Sequence, residues 1–167
     1  MVRLDEAVVV ALGSNLPGAF ASTEALLEAA LARFPEVGLR VLKRSGWWRS
    51  AAWPDPQAPE YRNGIALVEA PGGPEATLAA LLEIEGQFRR RRDGRNAART
   101  LDLDLIAHGR QQREGAGLTL PHPRAHERLF VMGPLAELAP EWRHPALGLT
   151  ARELARAATV GLDAEPL

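Results

Sequence analysis

The 167-residue sequence contains no cysteine, and lysine occurs once, as Lys43. The absence of thiols excludes disulfide bonds, thiolate metal sites and a cysteine nucleophile, so any metal depends on oxygen or histidine ligands. Lys43 follows no glycine-rich run, which excludes the usual phosphate-binding loop. No run approaches the roughly 18 apolar residues of a membrane span, and no basic-then-apolar leader opens the chain. We therefore expect a cytoplasmic protein without membrane contact.

Positive charge is concentrated in one short segment. The formal net charge is −1, but residues 89–99 carry six arginines and one aspartate, a local charge of +5 that leaves −6 for the rest. This concentration points to one anionic ligand at one place, although a solvated surface or a nucleic-acid interface is also compatible with it. A nucleic-acid surface would place aromatic side chains among the cations, but the third predicted strand offers Tyr61 and the last strand offers none. Nucleic acid is therefore the weaker alternative, and we expect no such partner.

The order of predicted elements indicates the fold class. Apolar patterning and turn residues predict strands at residues 7–12, 39–49, 61–69 and 101–107, with a hairpin returning through 118–120. Helices are predicted at 17–34, 74–88, 129–138 and 150–159, the last opened by a Thr150–Glu153 capping box. The sequence thus predicts an α+β fold, a ferredoxin-like βαββαβ sandwich with a mostly antiparallel sheet, helices on one face and a C-terminal extension. We expect one domain spanning residues 1–167.

Asp102 and Asp104 are the strongest candidates for chemistry. They lie two residues apart on a predicted strand, so both side chains leave the same face, with Cα atoms about 6.6 to 7 Å apart. Two carboxylates at that spacing suit magnesium ions that carry a polyphosphate. A solvated strand face is the plain alternative, but the arginine-rich segment directly upstream favours a metal-bound triphosphate.

Two histidines and one short motif leave alternatives open. His122 and His126 have the spacing of a helical metal pair, but Pro121 and Pro123 indicate extended backbone, so a zinc site is not favoured. His122 is either a donor to phosphate or a structural residue. The Gly13-Ser14-Asn15 segment either presents N–H groups to an anion or is a plain turn before a helix.

Three further residues stand out by their position. Trp53 lies within a proline-rich loop at residues 50–60 and Tyr61 at its end, so these two aromatics are placed to stack on a flat ligand. Glu85 lies at the edge of an apolar helical stripe, where a carboxylate needs a polar partner.

Several stretches together resemble one known family. They are LGSNL at 12–16, YRNGIALVE at 61–69, IEGQFRRRR at 84–92, RTLDLDLI at 99–106, LTLPHP at 118–123 and HERLFVMGPLAELAP at 126–140. On these motifs the sequence resembles the 6-hydroxymethyl-7,8-dihydropterin pyrophosphokinases of folate biosynthesis. The resemblance implies transfer of the diphosphoryl group of ATP to the pterin hydroxymethyl oxygen, with release of AMP.

The resemblance also implies roles for individual residues. Asp102 and Asp104 would bind two magnesium ions, and Arg90 and Arg92 would be catalytic, closing over the ATP co-substrate. The implied ATP contacts are Glu85, Arg92, Arg99, Thr119, His122 and Arg128. The implied pterin contacts are the aromatic pair Tyr61 and Phe130, the amide of Asn63 and the backbone at Ser50.

The sequence departs from the family pattern on both sides of the pterin. Asn96-Ala97-Ala98 replaces a common Trp-Gly-Pro, and Ser50 to Pro54 replace a common Thr-Pro-Pro-Leu-Gly. We expect Trp53 to supply part of the missing aromatic surface and to contact the substrate. The other hypotheses are a polyanion- or RNA-binding module and an ATP-binding paralogue without transferase activity. We expect a monomer.

Overall fold

The computed structural model describes residues 2–52, 55, 57–89, 100–115 and 117–167. Within them, six strands form one sheet: β1 (Val8–Ser14), β2 (Arg40–Arg44), β3 (Trp48–Ser50), β4 (Tyr61–Glu69), β5 (Asp102–His108) and β6 (Glu165–Pro166). The same residues form four α-helices: α1 (Thr23–Ala32), α2 (Pro74–Arg89), α3 (Leu129–Leu138) and α4 (Ala151–Ala157). The predictions on Trp53, Arg90, Arg92 and Arg99 fall outside the described residues.

The strand order is β5-β1-β4-β3-β6, with β2 also paired to β4, and every pair is antiparallel. This arrangement confirms the predicted α+β fold, in which β1, α1, β2–β4, α2 and β5 follow the βαββαβ order. The C-terminal extension contributes α3 and α4. In the described part of the chain, no helix is both long and apolar enough to cross a membrane.

Each face of the sheet has its own apolar core. On one face, Leu27 of α1 and Ile84 of α2 are fully buried against Val10 and Leu12 of β1. On the other face lies a second cluster: Val131, Met132 and Leu135 of α3, Leu154 of α4, and Val9, Ile65 and Leu67 of the sheet. The predicted helices on one face are therefore α1 and α2, and the extension covers the opposite face.

Most predicted elements are confirmed, and three differ. The single strand predicted at 39–49 divides into β2 and β3, because Ser45 Oγ accepts a hydrogen bond from the Ile65 N–H at 2.9 Å and replaces a strand contact. The return strand predicted at 118–120 is wrong: among the described residues of this segment, an isolated antiparallel bridge joins Arg113 and Leu120 without forming a strand. The α-helix expected from residue 17 begins at Thr23, because Ser22 caps its N-terminus. The predicted capping box of α4 is present.

Candidate active site

A row of paired residues crosses the sheet on the α3 face. Asp102 on β5 opposes Gly13 on β1, Gly13 opposes Asn63 on β4, and Asn63 opposes Trp48 on β3. Two strand spacings separate Asp102 from Asn63, which places their Cα atoms about 10 Å apart. Gly13 has no side chain, and a Cβ there would lie 3.4 Å from Asn63 Oδ1. The row therefore has a bare floor between a carboxylate and an amide.

Asp104 lies beside this row, opposite Ala11 of β1. Asp102 and Asp104 are exposed, whereas Leu103 between them is 4% exposed in the core beneath α1 and α2. The prediction that both acids leave the same face of β5 agrees with this burial pattern. Farther along the same face, α3 covers the sheet, so the two acids lie where the helical cover ends.

The environment of Asp102 favours a bound cation. The Asp102 side chain is 52% exposed, and its partial desolvation raises its pKa. The negative charge of Asp104 raises this pKa further, and Arg89 acts in the opposite direction. An Arg89 guanidinium nitrogen lies 3.7 Å from Asp102 Oδ1. Sequence reasoning grouped Arg89 with the arginine-rich segment and gave it no separate role. The structure identifies it as a direct neighbour of the acid pair.

Glu85 of α2 has the polar partner that its position requires. Its Oε2 accepts a hydrogen bond from the Leu103 N–H of β5 at 2.7 Å. Burial raises the pKa of Glu85, and the Leu103 bond opposes this effect. Glu85 therefore joins α2 to β5 at the residue between the two acids.

His122 and Arg128 lie on the Asp104 side of the site. The His122 N–H donates to the Ile106 carbonyl at 2.8 Å, which fixes this segment beside β5. Burial lowers the pKa of His122, Asp104 opposes this effect, and the Arg128 charge adds to it. His122 Nδ1 accepts from the Arg124 N–H at 3.2 Å, so the proton of the neutral ring belongs on Nε2.

Thr119, the remaining described residue of the predicted ATP set, is half-buried and precedes the Leu120 bridge. The ring of His126 packs against His144, with ring centroids 5.5 Å apart.

The opposite end of the row carries the predicted pterin contacts. Asn63 is 6% exposed, and its Nδ2 donates to Ser50 Oγ at 2.9 Å. Ser50 opposes Tyr61 across β3 and β4, so the three residues form one patch. Burial raises the pKa of Tyr61, and the charge of Asp102 raises it further, so the two side chains lie within electrostatic reach of each other.

Phe130 lies in the first turn of α3. The Arg128 guanidinium lies 5.9 Å from the centre of its ring. Among the described residues, the aromatic rings that contact each other do not include a Phe130–Tyr61 pair.

The Gly13-Ser14-Asn15 segment is a structural tether. The Asn15 N–H donates to Thr100 Oγ1 at 3.0 Å, and the Thr100 hydroxyl donates to Asn15 Oδ1 at 3.0 Å. Asn15 Nδ2 also donates to the Pro59 carbonyl at 3.3 Å. The Asn15 N–H is thus engaged by Thr100, which does not favour the anion-binding reading. The plain turn directly before a helix is wrong as well, because Gly13 and Ser14 end β1 and α1 begins at Thr23. The role of Gly13 as a floor was missed, because it depends on strand register, which the motif LGSNL does not reveal.

The two acids fit magnesium by the chemistry of their donors. The described residues contain no group of three or more His, Asp or Glu side chains placed to hold an ion. Magnesium usually keeps several waters and takes one or two carboxylates together with substrate phosphates. Two adjacent carboxylates with mutual repulsion, next to an open face, match that requirement.

Sequence comparisons connect this geometry to known proteins. The family model of 7,8-dihydro-6-hydroxymethylpterin-pyrophosphokinase (HPPK) matches residues 9–140. A Synechocystis sp. protein named 2-amino-4-hydroxy-6-hydroxymethyldihydropteridine pyrophosphokinase is 42% identical over 147 residues, 87% of this chain and 73% of that protein. A Pseudomonas aeruginosa protein of the same name is 38% identical over 138 residues, 83% of each chain.

Solved structures share the fold. A Plasmodium falciparum HPPK-DHPS triple mutant aligns with a TM-score of 0.71 at 13% identity, and the wild type with pteroate aligns at 0.68 and 12%. The chain spans less than half of those two proteins, 47% and 42% respectively, and covers 96% and 90% of its own length. Most of the sequence, including the acid pair and its surroundings, thus matches one family of kinases in folate synthesis. The chain belongs to the 7,8-dihydro-6-hydroxymethylpterin-pyrophosphokinase family, whose members transfer pyrophosphate from ATP to hydroxymethyldihydropterin.

Proposed function

We propose that the row from Asp102 to Asn63 is the active site for this transfer, with ATP at the acid end and the pterin at the amide end. The observation that carries the proposal is the register, which aligns a carboxylate, a bare glycine and a buried amide across three strands. Family membership supplies the reaction. The pterin hydroxymethyl oxygen bonds to the β-phosphorus, the bond from that phosphorus to the α,β-bridging oxygen breaks, AMP leaves and the hydroxyl proton is released.

Asp102 and Asp104 hold two magnesium ions in this proposal. Magnesium held by these carboxylates would supply positive charge that offsets the charge developing on the phosphates during transfer. The mutual repulsion of the two carboxylates, which contributes to the raised pKa of Asp102, is relieved by a cation. Arg89 beside Asp102 adds positive charge at the same end of the site. Glu85 keeps this end of β5 fixed to α2 and lies beside the nucleotide.

The remaining polar residues position the phosphates. His122 keeps a proton on Nε2 in both charge states, because Nδ1 is engaged with the Arg124 backbone, so it donates to a phosphate oxygen across neutral pH. Arg128 and Thr119 contribute a second cation and a hydroxyl on the same side. The family resemblance supports the further roles of Arg90, Arg92 and Arg99 in neutralising the triphosphate.

At the other end, the bare floor at Gly13 admits a flat ring. Asn63 reads the hydrogen-bonding edge of the pterin, and its Nδ2 bond to Ser50 fixes the orientation of the amide. Tyr61 and Phe130 stack on the two ring faces, which is compatible with the lack of direct contact between them. The resemblance adds Trp53 and the Ser50 backbone to this set.

An assay of AMP release from ATP tests the proposal. We expect AMP only when hydroxymethyldihydropterin and magnesium are both present, with pterin diphosphate formed in equal amount. ATP hydrolysis at a rate that does not depend on the pterin, or ATP binding without any transfer, would contradict the proposed activity. Binding to an RNA oligomer that competes with ATP would favour the polyanion-binding hypothesis instead.

We propose further that residues 1–167 act as one catalytic domain and that the enzyme works as a cytoplasmic monomer. Sedimentation of the active enzyme at assay concentration tests the monomer.

A further inference from the structure

Residues 159–165, here termed the C-terminal strap, lie beyond the family match and run past the proposed pterin pocket. The strap is bonded to the start of α3. The Val160 N–H donates to the Glu127 carbonyl at 2.9 Å, and the Val160 carbonyl accepts from the Leu129 N–H at 2.9 Å. The strap is therefore fixed to the turn that carries Phe130.

Gly161 brings the strap backbone directly onto the Phe130 ring. A Cβ at this position would lie 2.5 Å from Phe130 Cδ1 and 3.0 Å from Cε1. Its φ of +67° is also in the left-handed region that favours glycine. The ring of Phe130 is thus held on the strap side by main chain, with no room for a side chain between them.

The other end of the strap holds the opposite wall of the pocket. Asp163 Oδ2 accepts a hydrogen bond from the Ala51 N–H at 2.6 Å. Glu165 then pairs with Arg49, whose Nε lies 2.7 Å from Glu165 Oε1, and β6 continues beside β3. Ala51 follows Ser50, the residue that accepts from the Asn63 amide.

We propose that the C-terminal strap sets the width of the pterin pocket, with Gly161 and Asp163 as positioning residues. Gly161 fixes Phe130 on one side, and Asp163 fixes the backbone after Ser50 on the other, so seven residues tie the two walls together. The inference rests on the proposed function, because only a flat substrate between these walls makes their spacing matter. In the described contacts, neither Gly161 nor Asp163 bonds to the acid pair. The strap meets the nucleotide side through the backbone bridge between Val160 and Arg128, which neither substitution removes.

Steady-state kinetics of Gly161→Ala test this proposal against a matched control. Gly148 has a similar φ of +71°, but nothing lies within 4 Å of a Cβ built on it. Both alanine variants therefore carry the same backbone strain, and only one displaces Phe130. We expect Gly161→Ala to raise the pterin KM about tenfold more than Gly148→Ala does, with the ATP KM of both within about twofold of wild type. Equal pterin KM values in the two variants would overturn the proposal.

Asp163 gives a second test that does not depend on backbone strain. Asp163→Ala removes the acceptor for the Ala51 N–H and should raise the pterin KM, whereas Asp163→Asn keeps an oxygen acceptor and should restore it. A pterin KM at the wild-type value in Asp163→Ala would contradict the strap role. Failure of the proposed function can be distinguished from failure of the strap proposal alone. If the proposed function fails, the wild-type enzyme would release no AMP in response to pterin, or Phe130→Ala would leave the pterin KM unchanged. Either result would also remove the basis of the strap proposal.

Discussion

Side chains alternate between the two faces of the sheet along each strand, but helices cover the two faces to different extents. On the face beneath α1 and α2, the core side chains extend to the end of β5, and Leu101 and Leu103 are buried there. On the opposite face, α3 and α4 cover only part of the sheet, and the same end of β5 presents Asp102 and Asp104 to solvent. The difference shows that the candidate site exists because one layer of helices stops short of the sheet edge.

Charge on the open face is tolerated at some cost. Partial desolvation and the like charge of Asp104 raise the pKa of Asp102, so its ionised form is less favourable than in water. No such conflict exists one residue away at Leu103, which is enclosed by apolar neighbours. Substitutions at adjacent positions of β5 should therefore separate function from stability.

The largest effect is expected from removing a carboxylate on the open face. Asp104→Asn should lower turnover by roughly a thousandfold, because losing one electrostatic group at a reacting centre has an effect of this size. The melting temperature should stay at or above the wild-type value, because the repulsion between Asp104 and Asp102 is removed. Turnover and thermal melting measured together check this. Asp5→Asn is the control, because it removes the charge of an exposed aspartate in a separate turn, and it should behave as wild type. Near-normal turnover in Asp104→Asn would contradict the metal assignment.

The closed face should respond in the opposite way. Leu103→Ala deletes a side chain that is 4% exposed and should lower the free energy of unfolding by about 2 to 5 kcal/mol. Urea denaturation measures this loss. Leu82→Ala on α2, where the side chain is 55% exposed, should stay within about 0.5 kcal/mol of wild type. Equal losses in the two variants would mean that β5 is not packed as described.

His144 is a buried titratable residue that contacts Trp142 in the covered part of the α3 face, so it can be compared with the acids on the open part. Burial, with a smaller contribution from the charge of His126, lowers the pKa of His144 to about 4. Between pH 6.5 and 4 the unfolded chain binds a proton that the folded chain does not. The free energy of unfolding should therefore fall by roughly 3 kcal/mol as the pH decreases through this window, and the contribution is absent above it.

His144→Asn tests this contribution, because an amide oxygen can replace the Nδ1 acceptor for the Ala146 and Leu147 N–H groups without titrating. Urea denaturation at several pH values should give a shallower acid loss in the variant than in wild type. Parallel curves for the two proteins would show that His144 binds its proton equally in both states.

Adding one methyl group at Gly64 or at Gly133 compares how the two faces of the sheet respond to overpacking. A Cβ at Gly64 would lie 2.5 Å from the Trp47 ring, and one at Gly133 would lie 2.5 Å from the Trp48 ring. Each alanine variant should cost about 1 to 3 kcal/mol of stability by overpacking. Only Gly133→Ala should also raise the pterin KM, because Trp48 opposes Asn63 in the proposed site. The same change of KM in Gly64→Ala would mean that the two faces are not independent.

The sequence predicts the parts of this fold that depend on local pattern. The bounds of β4 and α3 agree with the predicted 61–69 and 129–138, because apolar periodicity and proline or glycine breaks define both. The alternation around Asp102 and Asp104 predicts their shared face for the same reason. The division at Ser45 was missed, since a side chain there replaces a backbone contact from a strand that is twenty residues away.

Features that depend on pairing between distant strands could not be read from local pattern. The alignment of Asp102, Gly13 and Asn63 follows from register, and the contact of Gly161 with Phe130 follows from the path of the C-terminal strap. Family resemblance named Asn63 and Phe130 but gave no reason for their positions. The structure supplies that reason through the glycines beside them.

Calorimetric titration with a non-hydrolysable ATP analogue tests the central claim most directly. With magnesium present, wild-type protein should bind the analogue, and chelation of magnesium or the Asp102→Asn, Asp104→Asn double variant should weaken binding by about a hundredfold or more. Binding of equal strength in all three conditions would show that the acids on the open face of the sheet do not hold a metal-bound nucleotide.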